Sequence, residues 1–287
     1  MTQEILDTQD CLAPNEVAQG FSNNVMPKKA QYSKTKMLVL AIAAGAFIAY
    51  GAQVSLTVMT GTAENLSWGL AKLIGAMVFA TGLMMVVLTG AELFTGNVMM
   101  MFSVLEKKIT FLQLFRSWSI VYLGNFIGSI VLALLVFYSG ASHNNHDALG
   151  AIAINTAYSK VSLSFLEAFT RGILCNWLVC LAVWMATSSR SVIGKIFAIF
   201  FPIMTFVASG YEHSVANMFF IPNGILLKQI PSVVAASGFS MDQLALLNWK
   251  TFFIHNLIPV TLGNIIGALV FVVLLFWMAY LKNDQNK

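Results

Sequence analysis

Two eight-residue stretches hold most of the polar chemistry found inside long apolar runs of this chain. They are Gly90-Ala91-Glu92-Leu93-Phe94-Thr95-Gly96-Asn97 and Gly210-Tyr211-Glu212-His213-Ser214-Val215-Ala216-Asn217, and both read G-x-E-x-x-x-x-N. A charged side chain costs roughly 3 kcal/mol at the centre of a membrane helix, so neither glutamate is expected to face lipid. Matching interruptions in the two halves of a chain are typical of transport sites at mid-membrane. The pair therefore predicts a membrane channel or transporter.

Each interruption also creates free helix ends. The N-terminus of a helix carries unpaired N–H groups and positive partial charge, so two such ends that converge favour an anion. Thr95 and Ser214 are placed where they could cap the half-helices that follow. For Glu92 and Glu212 we favour a role in bracing the interrupted backbone.

His213 is the one titratable base within the two motifs, and the first motif has Leu93 at the equivalent position. Histidine changes its charge near neutral pH, so this asymmetry favours a role in sharing or moving a proton. The alternative is a neutral core histidine with satisfied hydrogen bonds.

The composition indicates a membrane protein rather than a soluble enzyme or a nucleic-acid-binding protein. Of the 287 residues, 58% are hydrophobic and only 10% are charged, against roughly 25% charged in soluble domains. The net charge of +4 comes from basic residues scattered at the ends of apolar segments. The three cysteines give no disulfide framework, and the polar start of the chain does not read as a cleavable signal peptide.

Six apolar stretches are each long enough to span a bilayer. They cover about 37–59, 68–105, 111–138, 162–187, 192–227 and 251–281. The second and fifth are too long for one straight helix, and the two motifs divide them. The sequence predicts an all-α membrane protein with six transmembrane helices, the second and fifth broken, in a channel domain of 36–282. A segment of 1–35, with a short helix from Asn15 to Ser22, precedes it, and a tail of 283–287 follows.

A second repeated motif indicates that the six spans form two copies. Gly124-Asn125-Phe126-Ile127-Gly128 in the third span matches Gly263-Asn264-Ile265-Ile266-Gly267 in the sixth. The copies are about 36–138 and 162–281. Because three spans per copy is an odd number, consecutive copies insert with opposite orientation, which predicts an inverted 3+3 repeat. The glycines suit close helix packing.

The distribution of lysine and arginine predicts the orientation in the membrane. Most of them lie in the two termini and in the loops after the second and fourth spans, so both termini, with the 1–35 segment and the tail, are expected in the cytoplasm. Arg171 lies within the fourth span, four residues after Glu167. We expect it to pair with that carboxylate or to extend toward the outer membrane surface, and the alternative is a role in the pore.

Three segments resemble signatures of the formate/nitrite transporter family, and the likeness extends over about 27–281. The segments are Leu93-Phe94-Thr95, the run from Ala208 to Met218, and the run from Asn176 to Met185. The resemblance implies an aquaporin-like fold, assembly as a homopentamer in a bacterial plasma membrane, and one permeation path in each protomer. It implies small monovalent anions of weak acids as substrates, such as formate, nitrite or hydrosulfide.

The resemblance also implies which residues form the path. The substrate-pore residues would be Thr95, His213, Glu212, Asn176, Asn217, Lys160 and Lys29. The apolar constrictions would be formed by Phe79, Leu83, Leu93, Val179 and Phe206. Lys160 would gather anions at the outer side and Lys29 at the inner side.

Formate is the favoured substrate, with nitrite or hydrosulfide as alternatives. The segment from Asn217 to Pro222 resembles formate channels, whereas the segment from Glu92 to Gly96 resembles nitrite channels. A water or neutral-solute pore is a competing reading of a different class, although the Asn-Pro-Ala pairs of aquaporins are absent. We expect no enzymatic activity, metal or cofactor, and no nucleic-acid partner, because no reactive nucleophile or metal-ligand cluster appears in the sequence. The expected partners are a small anion, membrane lipid and further copies of the chain.

Overall fold

The computed structural model describes residues 10–62 and 66–282. The helices are α1 (14–30), α2 (Lys34–Met59), α3 (Trp68–Thr89), α4 (Phe94–Leu105), α5 (Phe111–Tyr138), α6 (Ala148–Val161), α7 (Phe165–Ser188), α8 (Val192–Ala208), α9 (Ser214–Leu227), α10 (Pro231–Ser237) and α11 (Trp249–Tyr280). The expected tail of 283–287 and the start of the 1–35 segment lie outside the described residues.

The described part of the chain is helical, as the sequence predicts, apart from turns and one isolated bridge between Cys11 and Ser189. Five helices are long and apolar enough to cross a membrane, namely α2, α3, α5, α7 and α11. Counting α9 and α10 as a sixth span requires a bend of 113° between them. Within the predicted second and fifth stretches, α3 ends at Thr89 before α4 begins, and α8 ends at Ala208 before α9 begins.

The glycine that opens each G-x-E motif ends the preceding helix. Gly90 and Gly210 both have φ of 72°, a left-handed conformation that residues with a Cβ rarely adopt. Around Gly90, Ala91 N donates to Val86 O. Around Gly210, Tyr211 N donates to Phe206 O in the same pattern. Both helices therefore end in a Schellman-type turn, which satisfies carbonyl groups of the last helical turn.

Helices α2, α3, α8, α7 and α11 are neighbours in that order, and α5 packs on the other side of α2. The glycines of the G-N-x-I-G motifs make the closest of these approaches possible. A Cβ at Gly128 would lie 2.0 Å from Ile42 O of α2, and one at Gly267 would lie 2.2 Å from Ile173 O of α7. The motifs therefore mediate close helix packing in both halves, as the sequence predicts.

Helix α1 is longer than the predicted segment from Asn15 to Ser22. It begins at Pro14, passes through a π-helical turn at Phe21–Val25 and ends at Ala30. The extension is fixed from outside, because Ser103 Oγ donates to Ser22 O and the Arg116 guanidinium donates to Ala30 O. Helix α1 thereby brings Lys29 to the first G-x-E motif.

Candidate functional site

The backbone between α3 and α4 is held by the asparagine of the first G-N-x-I-G motif. Asn125 Oδ1 accepts a hydrogen bond from Phe94 N at 2.9 Å. Its Nδ2 donates to Glu92 O at 2.9 Å and to Ala41 O at 2.8 Å. One buried side chain thus satisfies the first N–H of α4, a loop carbonyl and a carbonyl of α2.

Asn264 makes the equivalent three bonds in the second half. It accepts from Ser214 N at 2.9 Å and donates to Glu212 O at 3.0 Å and to Gly172 O at 2.8 Å. The prediction that Thr95 and Ser214 cap the half-helices is wrong. The capping positions fall one or two residues earlier, at Leu93 and His213, and Ser214 Oγ has no hydrogen-bond partner among the described residues.

His213 caps α9 with its own ring. Its Nδ1 accepts a hydrogen bond from Ala216 N at 3.1 Å. Because Nδ1 is an acceptor, a neutral ring carries its proton on Nε2. That atom lies 2.9 Å from Thr95 Oγ1. Both residues are buried, so the start of α4 and the start of α9 meet through one hydrogen bond.

The five predicted constriction residues lie around a single small cavity. Phe79, Leu83, Leu93, Val179 and Phe206 line it, together with Ile48, Ile203 and His213. Its volume is about 10 Å³, about enough for one water molecule. We call this space the apolar slit. Phe79 and Phe206 meet edge to face across it, with ring centroids 5.8 Å apart.

A larger cavity adjoins the slit on the side of Phe79 and Phe206. It has a volume of about 150 Å³, and we call it the Lys160 cavity. Its charged and titratable lining residues are Lys72, Lys160, Arg171, Glu212 and His213. Of the predicted substrate-pore residues, Asn217 also lines it.

A partly buried Lys160 and a buried Glu212 form an ion pair in this cavity. Lys160 Nζ donates to Glu212 Oε1 at 2.8 Å, and Asn217 Nδ2 donates to Glu212 Oε2 at 2.6 Å. Asn256 donates to the same carboxylate at 3.3 Å and to Lys160 O at 3.0 Å. Asn256 lies in a π-helical turn of α11 just before Pro259, whose missing N–H disturbs the helix there. The bracing role favoured for Glu212 is thus present together with a lysine partner.

The opposite side of the slit opens into a second cavity of about 220 Å³, which we call the Lys29 cavity. Leu83 and Leu93 border both spaces. Lys29 Nζ lies 3.2 Å from Glu92 Oε1 and donates to Asn97 Oδ1 at 2.9 Å. Asn97 Nδ2 donates to Glu92 Oε2 at 2.7 Å. A lysine, a glutamate and an asparagine thus form equivalent clusters on the two sides of the slit.

Tyr32 also lines the Lys29 cavity, outside the membrane-spanning helices. Burial of its phenol, and to a smaller extent the Glu92 carboxylate, raise the pKa of Tyr32 above its usual value. Its hydroxyl therefore stays neutral across the physiological range. In the Lys29 cavity an anion can therefore meet the Lys29 ammonium and the neutral hydroxyl of Tyr32.

Asn176 and Arg171 are placed differently from the sequence-based expectations. Asn176 lines none of these three spaces, and its Nδ2 donates to Thr95 O at 3.2 Å and to Asn264 O at 2.7 Å. Arg171 forms no ion pair with Glu167 among the described residues. The Glu167 carboxylate instead accepts hydrogen bonds from the backbone and hydroxyl of Ser164 at the start of α7.

No group of three His, Cys, Asp or Glu residues in 10–62 and 66–282 is arranged to hold a metal ion. In the loop before α6, His143 Nδ1 pairs with the carboxylate of Asp147. That hydrogen bond is the main cause that lowers the pKa of Asp147.

Comparison with known proteins fits this arrangement of two charged cavities and an apolar slit. The profile of the formate/nitrite transporter family matches residues 15–278. The chain belongs to the formate/nitrite transporter family. The match includes α1 and every helix that contributes to the slit, so the site described above lies within the family's common core.

Relatives of this formate/nitrite transporter are described as channels or transporters. The formate channel FocA of Escherichia coli K12 is 40% identical over 260 residues, which are 90% of this chain and 91% of that protein. A probable formate transporter of Methanothermobacter thermautotrophicus is 42% identical over 262 residues, covering 86% of this chain and 89% of that protein. A solved pentameric formate channel with formate bound is 41% identical with a TM-score of 0.79, covering 87% of this chain and 98% of that one.

Several side chains that shape the site in this family member were not predicted as site residues. Asn125, Asn264 and Asn256 hold the interrupted backbone and the Glu212 carboxylate. Lys72 and Arg171 line the Lys160 cavity. Asn125 and Asn264 could have been found from the sequence, because each is an asparagine between glycines in an apolar span. A polar side chain there must find partners inside the protein.

Proposed function

We propose that this chain is a channel for small monovalent anions of weak acids, with formate as the preferred substrate. The observation that carries the proposal is the apolar slit of about 10 Å³ between two cavities that each contain a lysine. A lysine attracts an anion, whereas the slit excludes charge. The relatives named formate channels favour formate over nitrite and hydrosulfide. No enzymatic role is proposed.

The slit sets the form in which the substrate crosses. Removing an ion from water into apolar surroundings costs several kcal/mol or more, and apart from His213 the side chains of the slit are all apolar. A monovalent anion of a weak acid avoids this cost by taking up a proton. We therefore infer that the anion collects at Lys160 or Lys29 and crosses the slit as the neutral acid.

His213 stands where this proton would be exchanged, because it borders both the slit and the Lys160 cavity. The ring binds Thr95 through Nε2 and Ala216 N through Nδ1. A second proton can enter only at Nδ1, and the hydrogen bond to Ala216 must then break. Protonation of His213 is thus coupled to the first turn of α9. An anion in the Lys160 cavity stabilises the imidazolium and then receives its proton.

The equivalent hydrogen bonds of Asn125 and Asn264 support an internal repeat. They favour an inverted 3+3 repeat with an aquaporin-like arrangement, in which α3–α4 and α8–α9 are the broken second and fifth spans. The proposed domain organisation is that of the sequence, with a channel domain of 36–282. We propose a homopentamer in a bacterial plasma membrane, both termini in the cytoplasm, the Lys29 cavity facing inward and the Lys160 cavity facing outward.

Flux into liposomes tests the substrate assignment. We expect purified protein to admit formate faster than nitrite or hydrosulfide. Formate uptake should be faster at about pH 5 than at about pH 7, because histidine gains its charge as the pH falls through this range. Water and glycerol should permeate no faster than through protein-free liposomes, because apart from His213 the slit is lined by apolar side chains that offer these solutes no hydrogen bonds. Rapid water or glycerol flow without anion flux would instead identify a neutral-solute pore.

A further inference from the structure

The Lys160 cavity contains more positive charge than its ion pair requires. Of the described residues, Lys72, Lys160 and Arg171 line it, and Glu212 is the one carboxylate in that lining. That carboxylate is already bound by Lys160, Asn217 and Asn256. Within the described part of the chain, Lys72 and Arg171 are therefore left without a carboxylate partner in the cavity.

Arg171 has no ion-pair or hydrogen-bond partner that would explain its position. Its guanidinium makes no hydrogen bond or ion pair with the residues of 10–62 and 66–282, and it acts on the Glu167 carboxylate only as a more distant charge. Its half-buried side chain lies within a membrane-spanning helix. The nearest acid along α7, Glu167, is occupied by Ser164. An arginine within a span normally pairs with another group or lines a polar cavity, and here the cavity is what remains.

The position of Arg171 also links it to the site. Its backbone carbonyl accepts a hydrogen bond from Glu212 N at 3.3 Å, one residue before His213. A guanidinium presents N–H donors in a planar fork that matches the two oxygens of a carboxylate, whereas an ammonium acts as a point charge. Lys72, from α3, adds such a point charge to the same cavity.

We propose that Arg171, assisted by Lys72, forms an entry site that selects planar anions with two oxygen atoms over anions without them, such as hydrosulfide. The inference rests on the proposed anion-channel function and deepens it. Formate and nitrite share the two-oxygen geometry and bind in this site before the anion reaches His213. Lys160 remains bound to Glu212 during this first step.

Two substitutions separate fork recognition from charge. Arg171→Lys keeps the charge and removes the planar fork, and Arg171→Leu removes both. Lys250→Met is the matched control, because Lys250 is an exposed lysine at the start of α11 that lines none of the three spaces. Half-saturating concentrations of formate, nitrite and hydrosulfide are measured as flux per folded protein in liposomes at low ionic strength.

We expect Arg171→Leu to raise the half-saturating formate concentration roughly ten-fold, as the loss of a charge-assisted hydrogen-bonded pair implies. Arg171→Lys should raise it for formate and nitrite and leave hydrosulfide unchanged, and Lys250→Met should change none of them. If the half-saturating concentrations of all three anions are the same in Arg171→Lys as in wild type, recognition by the planar guanidinium is overturned, even if Arg171→Leu weakens binding. If wild type itself carries no formate, the proposed function fails before this test applies.

Discussion

Replacing His213 with asparagine is expected to abolish the pH dependence of formate flux while leaving a folded channel. Asparagine is a favoured N-cap residue, so its Oδ1 can accept the Ala216 N–H that His213 Nδ1 accepts now. It cannot titrate. The protonated fraction of an imidazole that relays a proton rises as the pH falls from about 7 to about 5, so wild-type flux should rise several-fold on acidification. The variant should lose this histidine-dependent rise.

The control for this experiment is Leu93→Asn. Leu93 occupies the capping position of α4 that His213 occupies in α9, and it borders the slit. This variant adds the same polar group to the slit and keeps the histidine, so its flux should still rise on acidification. A His213→Asn protein with normal folded yield and an unaltered pH profile would contradict a proton-transfer role and leave a structural histidine.

Replacing Asn264 with leucine is expected to remove most folded protein from the membrane. The substitution leaves Ser214 N, Gly172 O and Glu212 O without their present partner. Each buried group left unpaired costs about 1–3 kcal/mol. Gly172 O keeps the hydrogen bond of its own helix, so Ser214 N and Glu212 O dominate the loss, which is still a large share of the roughly 5–15 kcal/mol that stabilises a typical protein. The readouts are the yield of monodisperse protein in detergent and its midpoint of thermal unfolding.

Asn125→Leu provides the matched comparison, because it breaks the three equivalent bonds at the other interruption. We expect a loss of the same size. Ile266→Leu changes a neighbouring, partly exposed position of α11 by an isomeric side chain and should behave like wild type. Normal yield and thermal stability of both asparagine variants would mean that the interruptions are held by other contacts.

The sequence could locate the two helix ends at Thr89 and Ala208 because each motif is local. A glycine followed by a glutamate inside an apolar run marks an interruption wherever the surrounding helices lie. The five constriction residues line one cavity, and the two predicted lysines lie on opposite sides of it. The resemblance to a family was needed for the constriction residues, since nothing about an isolated phenylalanine or valine distinguishes a slit from ordinary packing.

What the sequence did not predict depends on contacts between distant segments. Asn125 contacts Phe94, and Asn264 contacts Ser214, only because close glycine packing sets the rotation of α5 and α11. The error over Thr95 and Ser214 has a simpler cause, since helix boundaries read from sequence shift by one or two residues and a cap depends on that register. Pairing of Arg171 with Glu167 was one of the two arrangements expected for Arg171 and rested on spacing alone, although the capping box at Ser164 already uses that carboxylate.

If formate crosses the slit together with one proton, formate uptake must acidify the interior of a liposome without carrying current. Luminal pH and membrane current are therefore recorded in the same liposomes. A formate gradient is applied at fixed external pH, with formate uptake followed in parallel. We expect one proton to be released in the lumen for each formate taken up, and no net current, because a neutral acid crosses the slit. Formate uptake that carries current and leaves the luminal pH unchanged would contradict it and identify a channel for the bare anion.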